Sequence, residues 1–397
     1  MKYDFTTLPD RHGRDSIAVD GLGKGFAPDA PQPGFDAIPM WVADMDFACA
    51  PCIVEAVQKR AAHPVYGYGV RQQPYYDAVM GWLKKRHGFE VNYEHLAFAP
   101  PGVIYAMNVM LRILTKPGDR VMVPMPNYDP LFDMVTRGGR ELVETPLVWK
   151  DGRYTFDFAD MEAKAASGVK VLVLSSPHNP TGRVWTRQEL EGVAEICLRH
   201  NIFMLVDEIH CDLIRTGIKH IPLGKIMPDY NKLITTMSAS KTFNLAGMLF
   251  SNIIIRSEEE RARFNQRDKN IGAANPLSIA AHKAAYEQGD QWLTELKLYI
   301  DDNMKAVKEF LTQHLPDAEF EIPDATYFAW VDLQKVLPDV EDLPMFFANN
   351  AGVLLEGGDQ LFVGNAKGYV RLNLAMPRAM LMTGLERIAD AVKKHRA

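Results

Sequence analysis

The chain has 397 residues, 47% hydrophobic and 24% charged, enough for a large core divided between two domains. A net charge of −6 without a dense basic run argues against a nucleic-acid groove. No stretch approaches the roughly 18 uninterrupted apolar residues of a membrane span, and the polar start Met1-Lys2-Tyr3-Asp4 lacks a signal-peptide core, so a cytoplasmic protein is expected.

Residues 1–45 are rich in Gly, Pro and Asp and read as an irregular arm ending in Pro39-Met40-Trp41-Val42-Ala43-Asp44-Met45-Asp46-Phe47. Gly21-x-Gly23-x-Gly25 is a partial dinucleotide fingerprint, but no convincing strand precedes it. Cys49 and Cys52 form a C-x-x-C pair; Cys197 and Cys211 make no second pair, so free thiols at a helix start are favoured over a redox or zinc role. Pro51 opens a helix near 51–62, since a proline there forfeits no hydrogen bond. After the aromatic loop Tyr66-Gly67-Tyr68, the stretch 74–86 is amphipathic, with Tyr75, Val79 and Trp82 on one face.

A short strand at 96–99 leads through Gly102-Val103-Ile104 into a helix ending near Leu114. Backbone N–H groups at such a turn suit an anion, so Gly102, Val103 and Ile104 are candidate phosphate contacts, although a plain strand–turn–helix reads equally well. Val121-Met122-Val123 is a strand capped by Pro126-Asn127-Tyr128. Strands near 140–144, 171–174, 202–206, 232–236 and 252–255 then alternate with helices near 157–166, 186–200 and 257–287. Thr186 and Glu189 have capping-box spacing. This alternation predicts a wound α/β sheet. From about 290 the texture becomes α+β: a long helix at 291–313, short strands near 319–322, 327–332, 353–355 and 369–373, and a last helix at 379–395.

Three apolar runs carry polar residues just past their ends. They are followed by Ser175-Ser176-Pro177-His178-Asn179-Pro180-Thr181-Gly182, Asp207-Glu208-Ile209-His210 and Ser238-Ala239-Ser240-Lys241-Thr242-Phe243-Asn244. A parallel sheet with a site on its carboxyl edge needs this pattern. A lysine at a buried strand end is costly unless it finds a partner. A covalent link to an aldehyde cofactor removes that cost, and the hydroxyls of Ser238 and Ser240 are placed to hold such a cofactor's phosphate. Taken alone, Ser-x-Ser-Lys is too short to be specific.

The order Asn179, Asp207, Lys241 resembles the aspartate-aminotransferase superfamily, the fold type I pyridoxal-phosphate enzymes, over most of the chain. The resemblance implies a mostly parallel, seven-stranded-type sheet in a large cofactor domain (46–289) and a smaller α+β domain (290–397) that packs with the 1–45 arm. It implies Lys241 as covalent anchor and proton carrier, Asp207 beneath the pyridine nitrogen, and Asn179 as donor to the ring's phenolic oxygen. Tyr128 would stack on the ring. His210 stands where many members carry a tyrosine, which leaves that oxygen's second donor open. Arg371 would bind the substrate carboxylate, with further substrate contacts at Ala43, Tyr68 and Asn179. Tyr68 would reach the neighbouring subunit's phosphate, making a homodimer.

Met40–Phe47, Tyr66-Gly67-Tyr68 and the two motifs around Asp207 and Lys241 together resemble the MalY/PatB group of cystathionine β-lyases. Typical transaminases place an arginine eight residues after the lysine; here that position is Leu249. The branch resemblance implies cleavage of an amino acid with a β-thioether, without a metal. An aminotransferase on the same scaffold is the alternative, and a lyase that also serves as a regulatory binding partner is a third reading.

Overall fold

The computed structural model describes residues 1–25, 27–268, 274–358 and 360–397. Its centre is an eight-stranded sheet. In spatial order the strands are Leu96–Phe98, Asn252–Ile255, Leu233–Met237, Phe203–Asp207, Val169–Ser175, Arg120–Met125, Glu141–Lys150 and Arg153–Phe156. The five from Leu233–Met237 to Glu141–Lys150 are parallel, whereas Asn252–Ile255 and Arg153–Phe156 run antiparallel to their neighbours. The central strands Val171–Leu174 and Met204–Val206 are buried throughout, as a sheet covered on both faces requires.

The eighth strand was not expected. Asp151 and Gly152 both have positive φ, 51° and 77°, the backbone of a two-residue hairpin turn, so Glu141–Lys150 folds back on itself. Two helices were also missed, Asp129–Thr136 and Leu343–Ala351. Each has a proline in its first turn, and Asp342 caps the second by accepting from the Met345 N–H. The single helix expected at 257–287 is two, Glu258–Asp268 and Pro276–Gln288. Asn275 accepts from the Leu277 N–H and Pro276 occupies the first turn, a start signal inside the supposed helix. No strand forms at 319–322; Glu319 makes one isolated bridge to Asp332 before Pro323. No strand precedes Gly21, only the short helix Ile17–Asp20.

The C-terminal region builds an antiparallel sheet of Phe328–Asp332, Tyr369–Asn373 and Glu356–Gly357, backed by helices Asp290–His314 and Arg378–Arg396. The N-terminal arm joins it: Ile38–Pro39 pairs in parallel with Val353–Leu354. Phe5, Met40 and Phe47 belong to the same apolar cluster as Leu296, Leu372 and Leu385. The segment joining the helix Asp290–His314 to the strand Phe328–Asp332 packs against the loop after Val169–Ser175. Gly182, at φ +65°, lies so close to Pro323 and Ala325 that an added Cβ would stand 2.4 Å from the Pro323 Cβ. Among the described residues no helix is long and apolar enough to cross a membrane.

Candidate active site

Register brings the three motifs together. Ser175 pairs with Asp207, and Asp207 with Thr236, so the segments that follow these strands leave one sheet edge side by side. Ala43, Val103, Ile104, Tyr128, Asn179, Asp207, His210, Lys241 and Arg371 line a single cavity of about 570 Å³. That volume suits a cofactor with a small substrate. Gly102 directly precedes the helix Val103–Leu114, whose first residues face the cavity.

Lys241 sits in the short helix Ala239–Thr242. Its Nζ donates to the Ala43 carbonyl at 2.8 Å. Burial pulls its pKa below the ordinary lysine value, and Asp44 and Asp207 offset only part of that. Asp207 is buried, and burial raises its pKa to about 6 against the Ile209 N–H, which its Oδ1 accepts at 3.0 Å. Among the described residues the carboxylate has one backbone donor and forms no ion pair. His210 is held neutral by burial, its pKa lowered to about 3, and its Nδ1 has no hydrogen-bond partner. Tyr128 is positioned by its pairing with Phe362, and burial raises its phenol pKa.

Arg371 is buried. It donates to Asn179 Oδ1 at 3.3 Å and to the Trp41 carbonyl at 3.0 Å, and its Nε has no partner. The contact with Asn179 leaves that amide's nitrogen side as a donor. Ser238 lies outside the cavity lining: its hydroxyl donates to the Phe250 carbonyl at 2.7 Å and accepts the Ser240 N–H at 3.0 Å. Tyr68 is 98% exposed and far from burial in its own chain, beside exposed Val65, Tyr66 and Val70. Leu249 is exposed at 58% in a left-handed turn, φ 49°.

Several residues that organise the site carried no assignment from sequence. Tyr327 donates its hydroxyl to the Ala43 carbonyl at 2.9 Å, so that oxygen receives both Tyr327 and Lys241. Asn244, at φ 58°, exchanges hydrogen bonds with Met45, and Asn373 donates to the Val42 carbonyl at 2.7 Å. These side chains read backbone carbonyls, which leave no residue-type signature; the hint was only that both asparagines fall inside the motifs. Asp212 accepts from Trp82 Nε1 at 3.0 Å and from Thr242 Oγ1 at 3.2 Å while pairing with His87, which ties the Lys241 helix to the loop after Asp207. Cys49 and Cys52 are free thiols, raised in pKa by burial, with backbone carbonyls as neighbours.

The family model described as aminotransferase class I and II matches residues 36–388. The chain belongs to the class I and II aminotransferase family. It is 39% identical to cystathionine beta-lyase PatB of Bacillus subtilis, over 98% of this chain and 100% of that one. It is 30% identical to protein MalY of Escherichia coli, over 98% and 99%. Among solved structures it superposes on the pyridoxal-phosphate-bound C-S lyase of Staphylococcus hominis with a TM-score of 0.93 at 38% identity, covering 100% of both chains. Cystalysin from Treponema denticola, which contains the same cofactor, gives 0.93 at 33% identity, again over 100% of both.

The residues present fit the cofactor of this aminotransferase family. Lys241 is an amine whose burial favours its uncharged form. Asp207 is a buried carboxyl suited to a cation, and the helix starting at Val103 has no side-chain cap, which leaves its N-terminal end suited to a phosphate.

Proposed function

We infer that this family member is a pyridoxal-phosphate-dependent carbon–sulfur β-lyase acting on cystathionine or a related cysteine S-conjugate. Overall, the thioether and one water yield a thiol, pyruvate and ammonia. The observation that carries the reading is one cavity holding a lysine with a lowered pKa, a buried aspartate that forms no ion pair among the described residues, and an arginine whose Nε has no hydrogen-bond partner among them.

Pyridoxal phosphate, when bound, supplies an electron sink for negative charge at the substrate's α-carbon. Lys241 would anchor it, the Val103 and Ile104 end of the helix would face its phosphate, and Ser240 would add a hydroxyl, while the Ser238 hydroxyl is already engaged with the Phe250 carbonyl. Asp207 would meet the pyridine nitrogen and keep it protonated; a cation there lowers the carboxyl pKa from about 6. Asn179 and His210 would donate to the phenolic oxygen, and Tyr128 would lie against the ring. Arg371 binds the substrate's α-carboxylate in two-pronged fashion, using the Nε that has no protein partner. Once released from the cofactor, the Lys241 amine takes the α-proton, and the Ala43 carbonyl holds Nζ between proton transfers.

The subunits would pair so that Tyr68 completes the neighbouring site; an exposed run of Val65, Tyr66, Tyr68 and Val70 is apolar surface that pairing would cover.

Incubating purified protein with pyridoxal phosphate and L-cystathionine tests the reaction. Equal amounts of thiol and pyruvate are expected. Amino transfer to a keto acid without thiol release would favour the aminotransferase reading instead.

A further inference from the structure

Four charged groups in the cavity have no task in the chemistry above: Asp129, Asp133, Arg137 and Glu356. Glu356 lines the same wall as Arg371, from the two-residue strand Glu356–Gly357. Register sets Glu356 directly opposite Arg371, and opposed residues of an antiparallel pair project from the same face. Its carboxylate is half-buried and, among the described residues, meets no hydrogen-bond donor and forms no ion pair. Arg371 lowers its pKa through space, but burial outweighs this and the pKa stays above the ordinary glutamate value. Arg371 spends its own donors on Asn179 and Trp41 instead. Of the other cavity acids, Asp207 accepts the Ile209 N–H, and Asp129 and Asp133 lie on the helix Asp129–Thr136, where Asp133 pairs with Arg137 at 2.6 Å.

A carboxylate withdrawn from water without a donor is unfavourable unless a ligand brings a cation. The reacting amino group cannot be that cation, because it must reach Lys241, and Arg371 takes the α-carboxylate. The remaining part of the substrate is the group on sulfur.

We propose that Glu356 binds a protonated amine on the departing half of the thioether, so that the enzyme selects β-thioether amino acids whose leaving thiol is itself an amine. This rests on the lyase reading of the site. Its substance is specificity: the side chain meets substrate at a distance from the bond that breaks, next to the arginine that fixes the other end. A neutral amide at 356 keeps the shape and removes the charge.

The test compares wild-type holoenzyme with Glu356→Gln and Glu356→Asp on two substrates. L-cystathionine carries an amine on its leaving thiol; S-propyl-L-cysteine does not. Thiol release gives kcat/KM for each. The preference for cystathionine should fall at least tenfold in Glu356→Gln, chiefly through KM, and recover in part in Glu356→Asp. Calorimetry with non-cleavable analogues, in which a methylene replaces sulfur, should show a matching loss of affinity only for the analogue bearing the distal amine. An unchanged preference in Glu356→Gln, with wild-type thiol release intact, would overturn the assignment of Glu356 alone. Wild-type protein releasing thiol from neither compound would overturn the lyase reading and this proposal with it.

Discussion

The Ala43 carbonyl receives both Lys241 Nζ and the Tyr327 hydroxyl, so the reactive amine rests on main chain rather than on a carboxylate. An ion pair would have held the amine protonated; a neutral acceptor with burial leaves it ready to accept a proton. Lys241→Ala should abolish turnover and the visible absorption of bound cofactor, read by a spectrum of the fresh preparation. Asp207→Ala should lower kcat by at least about 10²–10³-fold, the usual loss when a buried electrostatic stabiliser is removed, measured at saturating substrate. Lys241, Asp207 and Asn179 were legible in the sequence because each follows an apolar strand at the same edge. Glu356 was not, since a two-residue strand has no period to read, and neither were Tyr327 and Asn373, whose partners are carbonyls.

At the level of elements, the helix Arg187–Arg199 begins with the reciprocal bonds expected of Thr186 and Glu189, and Glu189 also pairs with Arg183. Arg183 in turn holds Asp324 in the connection that precedes the strand Phe328–Asp332. Removing the cap by Thr186→Ala should cost about 1 kcal/mol in urea unfolding. Gly182→Ala should cost more, about 2–4 kcal/mol, because its left-handed backbone disfavours a side chain and the new methyl overlaps Pro323. A denaturation midpoint within error of wild type would refute that packing argument. The parallel strands and their helices were readable from alternation alone. The hairpin strand and the helices at Asp129 and Leu343 escape the alternation because their signals, Asp-Gly, Asp-Pro and Asp-Leu-Pro, fall in stretches with no long apolar period.

For the molecule as a whole, three imidazoles are buried in neutral form: His178 and His210 with pKa lowered to about 3, His282 to about 4. Below the ordinary 6.5 the unfolded chain takes up these protons and the folded chain does not, so their contribution is complete above pH 6.5 and is lost as pH falls toward 3. Asp207, raised to about 6, works the other way, as do Asp46, Asp129 and Glu356, whose pKa values burial also raises; the imidazoles dominate between pH 7 and 5 because their ordinary pKa lies inside that window. The Tm of cofactor-free protein should therefore drop between pH 7 and 5, and His282→Gln should flatten that slope. If Tyr68 belongs to a shared site, Tyr68→Phe should weaken cofactor retention and dilution to monomers should abolish activity, followed by sedimentation alongside thiol release.

Arg371 donates to the carbonyl of Trp41 across 330 residues of chain, and Asn373 grips Val42 across 331. The catalytic chamber is thus closed by two segments made at opposite times during translation. A ribosome that has delivered Lys241 and Asp207 still holds a protein without Arg371 and without a fixed seat for the early arm. Productive closure of the chamber therefore waits for residue 371, and a nascent chain stalled before it should be inert however well its central sheet has folded.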